Sequence, residues 1–184
     1  EFSLDAWTNI CRDQTICRAF STSIQIGLLV TIISTIIGTM ISFALIRHRY
    51  RGRGTTSLLV FLPLATPEVI LGASLLALFL NIFIPLGFWT ILLAQINFTI
   101  RFVVVVVNDR LAGMDPRLEQ AAMDLYANEL ETFRRVTLPL VAPGIAGAAL
   151  LAFSLSFDDF IITNFNSGTL ITFPKFVYVS AARG

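Results

Sequence analysis

Three runs of this chain carry no charged side chain: Ala19 to Ile46, Val69 to Ile100, and Val136 to Phe157. About 20 apolar residues in a helix cross the hydrocarbon core of a bilayer, and each run is long enough to do so. Only 14% of the residues are charged and the mean hydropathy is +0.78, where soluble domains carry roughly 25% charged residues. A soluble protein with buried helices does not fit these figures. The expected fold class is all-α, a polytopic membrane helix bundle.

The spacing predicts spans at about 19–46, 57–80, 89–107 and 143–162, with a polar region at 108–142. The first span carries Gly38 and Ser42 four residues apart, small side chains that let a second helix approach closely. It ends at "RHRYRGRG", where Arg47, Arg49, Arg51 and Arg53 crowd a short loop. The positive-inside rule puts that loop in the cytoplasm. The second span is interrupted by Pro63, Pro67 and Glu68, and "NIFIPLGF" (Asn81 to Phe88) makes an outer turn. The third carries Arg101 near its inner end, where a long side chain can snorkel towards the headgroups. Arg110, Arg117, Arg134 and Arg135 lie in the polar region, which therefore falls on the cytoplasmic side as well. Both ends of the chain are then outside. Residues 1–18 show no signal-peptide pattern and the chain begins with Glu1, so at least one span is expected to precede it.

Several chemistries are set aside. A net charge of +1 without basic-aromatic interleaving argues against nucleic acid as a partner. Cys11 and Cys17 are the two cysteines; outside the membrane they can pair or stand as small unpaired residues, and no metal or redox role follows. His48 sits among arginines and reads as part of a solvated loop. There is no H-E-x-x-H and no G-x-S-x-G, so no catalytic residue is expected. A P-loop is absent too, and the only lysine is Lys175.

The most informative stretch is "EQAAMDLYANELETFRRVTLPLVAPG", Glu119 to Gly144. Asp115-Pro116 reads as a helix start. Leu118, Ala121, Ala122 and Leu125 follow at i, i+3, i+4 and i+7, on one helix face. The pattern breaks at Tyr126-Ala127, and Asn128 with Glu131 has the spacing of a capping box for a second short helix. That helix presents Leu130, Phe133 and Val136 and is expected to end near Pro139. Such a unit either lies on lipid headgroups or docks in a groove on a cytoplasmic partner.

The same run resembles the cytoplasmic signature of binding-protein-dependent ABC importer permeases: Glu-Ala-Ala, three residues, Gly, nine residues, an aliphatic residue, any residue, Leu-Pro. Ala121 and Ala122 match the alanines, Val136 the aliphatic position, and Leu138-Pro139 the ending. Gln120 stands at the Glu position, with Glu119 one residue earlier. Tyr126 stands at the Gly position, where a left-handed backbone costs Gly least; Asn128 is a nearby residue able to supply one instead. "LPLATPEVILGASLLALF" (Leu62 to Phe79) and "SFDDFIITNFNSG" (Ser156 to Gly168) resemble the spermidine/putrescine-type branch, in its second permease subunit.

The resemblance implies a type I ABC importer permease-like fold, with a span before Glu1 and another after Gly184. It implies ATPase coupling through Glu119, Gln120, Ala121, Ala122, Leu125, Tyr126, Leu130 and Phe133. The implied partners are a second permease subunit, an ATP-binding subunit dimer and an extracytoplasmic solute-binding protein, with membrane lipid around the spans. No cofactor is expected on this chain, and ATP and Mg are expected on the partner ATPase.

Glu68, Asp158 and Asp159 lie within or at the ends of spans. A charged side chain at mid-bilayer costs about 2.5–3.5 kcal/mol on insertion scales, so such acids usually face a cavity or a partner. One reading makes them a path for a polyamine or another small cation. The other places Asp158 and Asp159 at the outer interface and pairs Glu68 with an arginine. Permeases for sulfate, iron or sugars share the implied architecture, and a non-transport membrane scaffold is the remaining alternative.

Overall fold

The computed structural model describes residues 14–47, 54–55, 58 and 66–183. Cys11, His48, Pro63 and the arginines at 49, 51 and 53 lie outside them. Eight α-helices make up the described fold: α1 (Gln14–Arg47), α2 (Glu68–Asn81), α3 (Phe88–Ala112), α4 (Arg117–Asp124), α5 (Glu129–Thr132), α6 (Leu138–Asp158), α7 (Ile161–Asn166) and α8 (Phe173–Arg183). A π-helical turn, Phe133–Thr137, joins α5 to α6. No strand occurs among the described residues. Three helical stretches, Thr15–Ile46, Phe88–Ala112 and Glu129–Asp158, are long and apolar enough to cross a membrane. The described part of the second predicted span is α2, of 14 residues.

Lipid tails are as apolar as leucine, so helices in a bilayer associate by close packing rather than by hiding apolar surface from water. α1 shows how. Ser23, Gly27, Ser34, Gly38 and Ser42 are all buried along one stripe. A Cβ on Gly38 would sit 2.6 Å from Val103 Cγ1, and one on Gly27 would sit 3.2 Å from the Phe153 ring. The missing side chains are what allow α3 and α6 to lie against α1. Ser42 Oγ donates to Gly38 O (2.8 Å) and to Val104 O (3.2 Å), so the hydroxyl is satisfied across the seam. The opposite face of α1 exposes Leu28, Ile32, Ile36 and Met40, four residues apart, as a surface for lipid or a neighbouring helix.

The centre of the bundle is α3. Of its most apolar window 61% is buried, against 28% and 22% for the other two spanning stretches. Val103, Val107 and Leu111 pack on Val141, Ala148 and Ala152 of α6. Ile91 and Leu92 pack on Ile26 and Val30 of α1, while Ala94 and Phe98 meet Phe79 of α2 and Ile162 of α7. Around the tip of α3, Thr90 Oγ1 lies 2.7 Å from Asn166 O and donates to it. Gly168 takes φ +55 there, and a Cβ would strike Leu86 at 3.0 Å. At the same end Phe173 of α8 packs against Phe20 and Phe157, and Cys17 in the first turn of α1 is disulfide-bonded.

Three sequence expectations are corrected. The second amphipathic helix does not end near Pro139. Helix continues through the π turn, in which the Leu138 N–H reaches back to Phe133 O. Pro139 then falls in the first turn of α6, directly after the π turn. The α-helical segment of the fourth span consequently begins at Leu138, with Pro143 inside it. Gly144 one residue on gives room for Arg110, whose Cγ would lie 2.6 Å from a Cβ there, and Arg110 Nε donates to Leu140 O (3.1 Å). Finally, α6 stops at Asp158 rather than running to 162, because Asp159 leaves the helix (ψ 112) and its carboxylate starts α7.

Candidate functional site

The three acids singled out in the sequence come together. Glu68, Asp158 and Asp159 all line one cavity of about 340 Å³, walled by Phe98, Leu155 and Phe160. Glu68 is the first residue of α2, where the helix dipole favours a negative charge. Pro67 before it has an extended backbone (ψ 135), so the helix cannot run on through that point.

The two neighbouring aspartates differ in what holds them. Asp159 is 6% exposed and fully engaged. Its Oδ1 accepts the Ile162 N–H (3.1 Å). Its Oδ2 accepts the Thr163 N–H (2.9 Å), the Thr163 hydroxyl (2.8 Å) and the Gln95 amide (3.1 Å). The first two bonds satisfy N–H groups that the start of a helix leaves open, so Asp159 is what begins α7. Gln95, 2% exposed in α3, also donates to Thr163 Oγ1 (2.8 Å) and accepts from Ser156 Oγ (2.5 Å). One amide thereby ties α3, α6 and α7 together, in surroundings where an unpaired polar group is expensive. Asp158 is exposed and makes no hydrogen bond among the described residues. It also lines a second, aromatic cavity of about 460 Å³ with Phe157, Phe160, Phe173 and Tyr178.

Gln95, Ser156 and Thr163 were not singled out in the sequence. The signal was present: a glutamine inside the charge-free run "ILLAQINF", and hydroxyls three residues before and four residues after Asp159. Arg101 was noted, but its expected position was wrong. It is 3% exposed and its guanidinium lies 4.6 Å from the Phe98 ring centroid and 5.5 Å from that of Phe102. The side chain turns into the bundle instead of reaching out to headgroups, because these two rings and the charge of Glu68, which attracts it, lie inward.

The Asp115–Pro139 unit sits at the other end of α3. Asp115 Oδ1 accepts the Arg117 N–H (2.9 Å), and Pro116 takes helical dihedrals. Asn128 and Glu131 form a reciprocal capping box: Asn128 Oδ1 accepts the Glu131 N–H (2.8 Å) and Glu131 Oε2 accepts the Asn128 N–H (3.3 Å). Tyr126 itself takes the left-handed backbone, φ 64, while Asn128 is extended (φ −74, ψ 169). The turn thus keeps a glycine-type conformation with a tyrosine in it, and that ring is 98% exposed.

Glu119 ties α4 to the π turn that leads into α6, since Thr137 Oγ1 donates to Glu119 Oε1 (2.5 Å). Gln120 and Ala121 are exposed and Ala122 is half-buried. Leu125 is 81% and Leu130 74% exposed. Phe133 is half-buried, its ring 5.3 Å from Phe43 of α1. No residue of α4 is buried.

A bundle of spanning helices with an acidic cavity near one end of its central helix, and a projecting helix pair at the other, has the architecture of an inner-membrane transport component. The family of binding-protein-dependent transport system inner membrane components matches residues 34–168, and the chain belongs to that family. The spermidine/putrescine transport system permease protein PotC of Haemophilus influenzae is 36% identical over 167 residues, covering 91% of this chain and 65% of that protein. PotC of Escherichia coli K12 is 35% identical, over 91% of this chain and 63% of PotC. The putrescine transport system permease protein PotI of the same strain is 37% identical, over 95% of this chain and 65% of PotI. The chain thus spans just under two thirds of the length of these relatives.

Proposed function

We propose that this chain is a membrane-spanning permease subunit of an ABC importer and forms part of the pathway for a linear polyamine. The observation that carries the reading is the cavity itself: three carboxylates converge on about 340 Å³ in a bundle whose spans are otherwise almost free of charge. Acids held in a membrane protein ordinarily serve a cavity or an ion path, and ammonium groups are their natural counterparts. The names of the relatives, spermidine/putrescine and putrescine permeases, agree with that chemistry.

Asp158 and Glu68 are the acids assigned to the solute. Asp159 is assigned to holding the wall, since both of its oxygens are already taken. ATP and Mg bind a partner ATPase dimer that docks on the Asp115–Pro139 unit, and a second permease and an extracytoplasmic binding protein complete the transporter. Closure of the ATPase pair would move that unit as a lever and rock the spans between two states.

Uptake of putrescine by the assembled transporter tests the solute assignment. Asp158→Asn is expected to reduce uptake about tenfold or more, the effect of losing one close charge partner in a partly desolvated site. Unchanged uptake in Asp158→Asn and Glu68→Gln together would remove the charge role.

A further inference from the structure

α3 supplies a polar partner to each of the two less exposed acids. Gln95 holds Asp159 through its amide, and six residues further along the same helix Arg101 attracts Glu68. A buried arginine within a span is costly unless charge and rings compensate it. Arg101 has both: Glu68, and the Phe98 and Phe102 rings at 4.6 and 5.5 Å from its guanidinium carbon. Phe98 is shared, because it also walls the acidic cavity. A fixed positive charge therefore lies directly behind the cavity wall, on a side chain only 3% exposed, and moves with the central helix rather than with the solute.

We propose that Arg101 is a specificity-determining residue, a resident cation that offsets one of the cavity's carboxylates and so limits how many positive charges the solute brings. The guanidinium behind Phe98 removes one unit of negative charge from what the acids lining the cavity offer the solute. A cavity with one negative charge fewer favours a diamine over a triamine. Across the Phe98 wall the interaction is screened less than in water, so a single unit of fixed charge discriminates between solutes that differ by one ammonium. The inference rests on the reading of the cavity as a polyamine path.

The test compares uptake of putrescine and spermidine by the full-length protein in its assembled transporter, as a ratio of kcat/KM. Arg101→Gln is expected to shift the ratio towards spermidine by about tenfold, mainly through KM, while Arg101→Lys keeps it near the wild-type value. Glu68→Gln leaves Arg101 without its counter-charge and is expected to shift the ratio towards putrescine. The double variant returns close to wild type. Glu68→Gln lies on α2 and keeps the test open if Arg101→Gln does not assemble. A ratio unmoved by either single variant, in a transporter that takes up both amines, overturns the role of Arg101 alone. A wild-type transporter that takes up neither amine overturns the polyamine reading and this inference with it.

Discussion

The two ends of α3 solve opposite problems. Around Asp159 every polar group of the aspartate and of Gln95 finds its partner inside the chain, and α3, α6 and α7 are fixed by that mutual satisfaction. Around Tyr126 the short polar links are also complete, with both capping-box bonds made, yet Leu125, Tyr126 and Leu130 stand almost fully exposed. The first region is finished by its own sequence. The second is stiffened by its sequence and left with an exposed apolar surface. Preorganised polar contacts and an unfilled apolar face are what a docking lever needs: rigidity to transmit motion, and a place for the force to enter.

The largest effect that separates the regions is expected at Asp159. Asp159→Ala removes the start of α7 and leaves the Gln95 amide short of an acceptor, a loss of about 3 kcal/mol by analogy with other buried charged hydrogen bonds. A thermal melt in detergent reads it as a clear fall in Tm. Asp158→Asn next door is expected to stay within about 0.5 kcal/mol of wild type, since Asp158 makes no hydrogen bond among the described residues. Equal losses from the two substitutions would erase the distinction between the wall acid and the solute acid.

Asn128→Ala comes next, costing about 1 kcal/mol, the usual penalty for a lost N-cap. The loss is local, so amide exchange should quicken over residues 128–132 and leave α3 unchanged. Tyr126→Gly acts in the other direction. A left-handed backbone costs an L-residue roughly 1–2 kcal/mol, of which the greater freedom of glycine in the unfolded chain takes back part. A net gain of about 0.5 kcal/mol is expected in the exchange protection of the 122–128 turn. Faster exchange there would mean that the tyrosine contributes contacts of its own.

Much of this was legible in the sequence, and for physical reasons. A charge-free run of membrane length leaves few structural options, and the alternation of arginine-rich loops with such runs orders them. The capping box at Asn128 and Glu131 was readable because it is local: both bonds join residues three apart. The start at Asp115 was readable on the same ground. The break expected at Pro139 failed because a π turn directly precedes it, and the wider turn carries the helix past the proline into α6. The left-handed turn fell to Tyr126 and not to Asn128 because Asn128 was needed as the cap, which requires an extended backbone. What lay out of reach was the long-range part. Nothing in the spacing says that Gln95 meets an aspartate 64 residues later, or that Arg101 turns inward to Phe98.

The account's central claim is that the exposed apolar face of the Asp115–Pro139 unit is completed by a partner ATPase. Copurification of that subunit with the full-length permease carrying Leu125→Glu and Leu130→Glu tests it most directly. The account predicts that capture falls at least about tenfold, the loss expected when two carboxylates are forced into an apolar contact, with the melting temperature of the permease unchanged. Full capture of the ATPase by that double variant would contradict it.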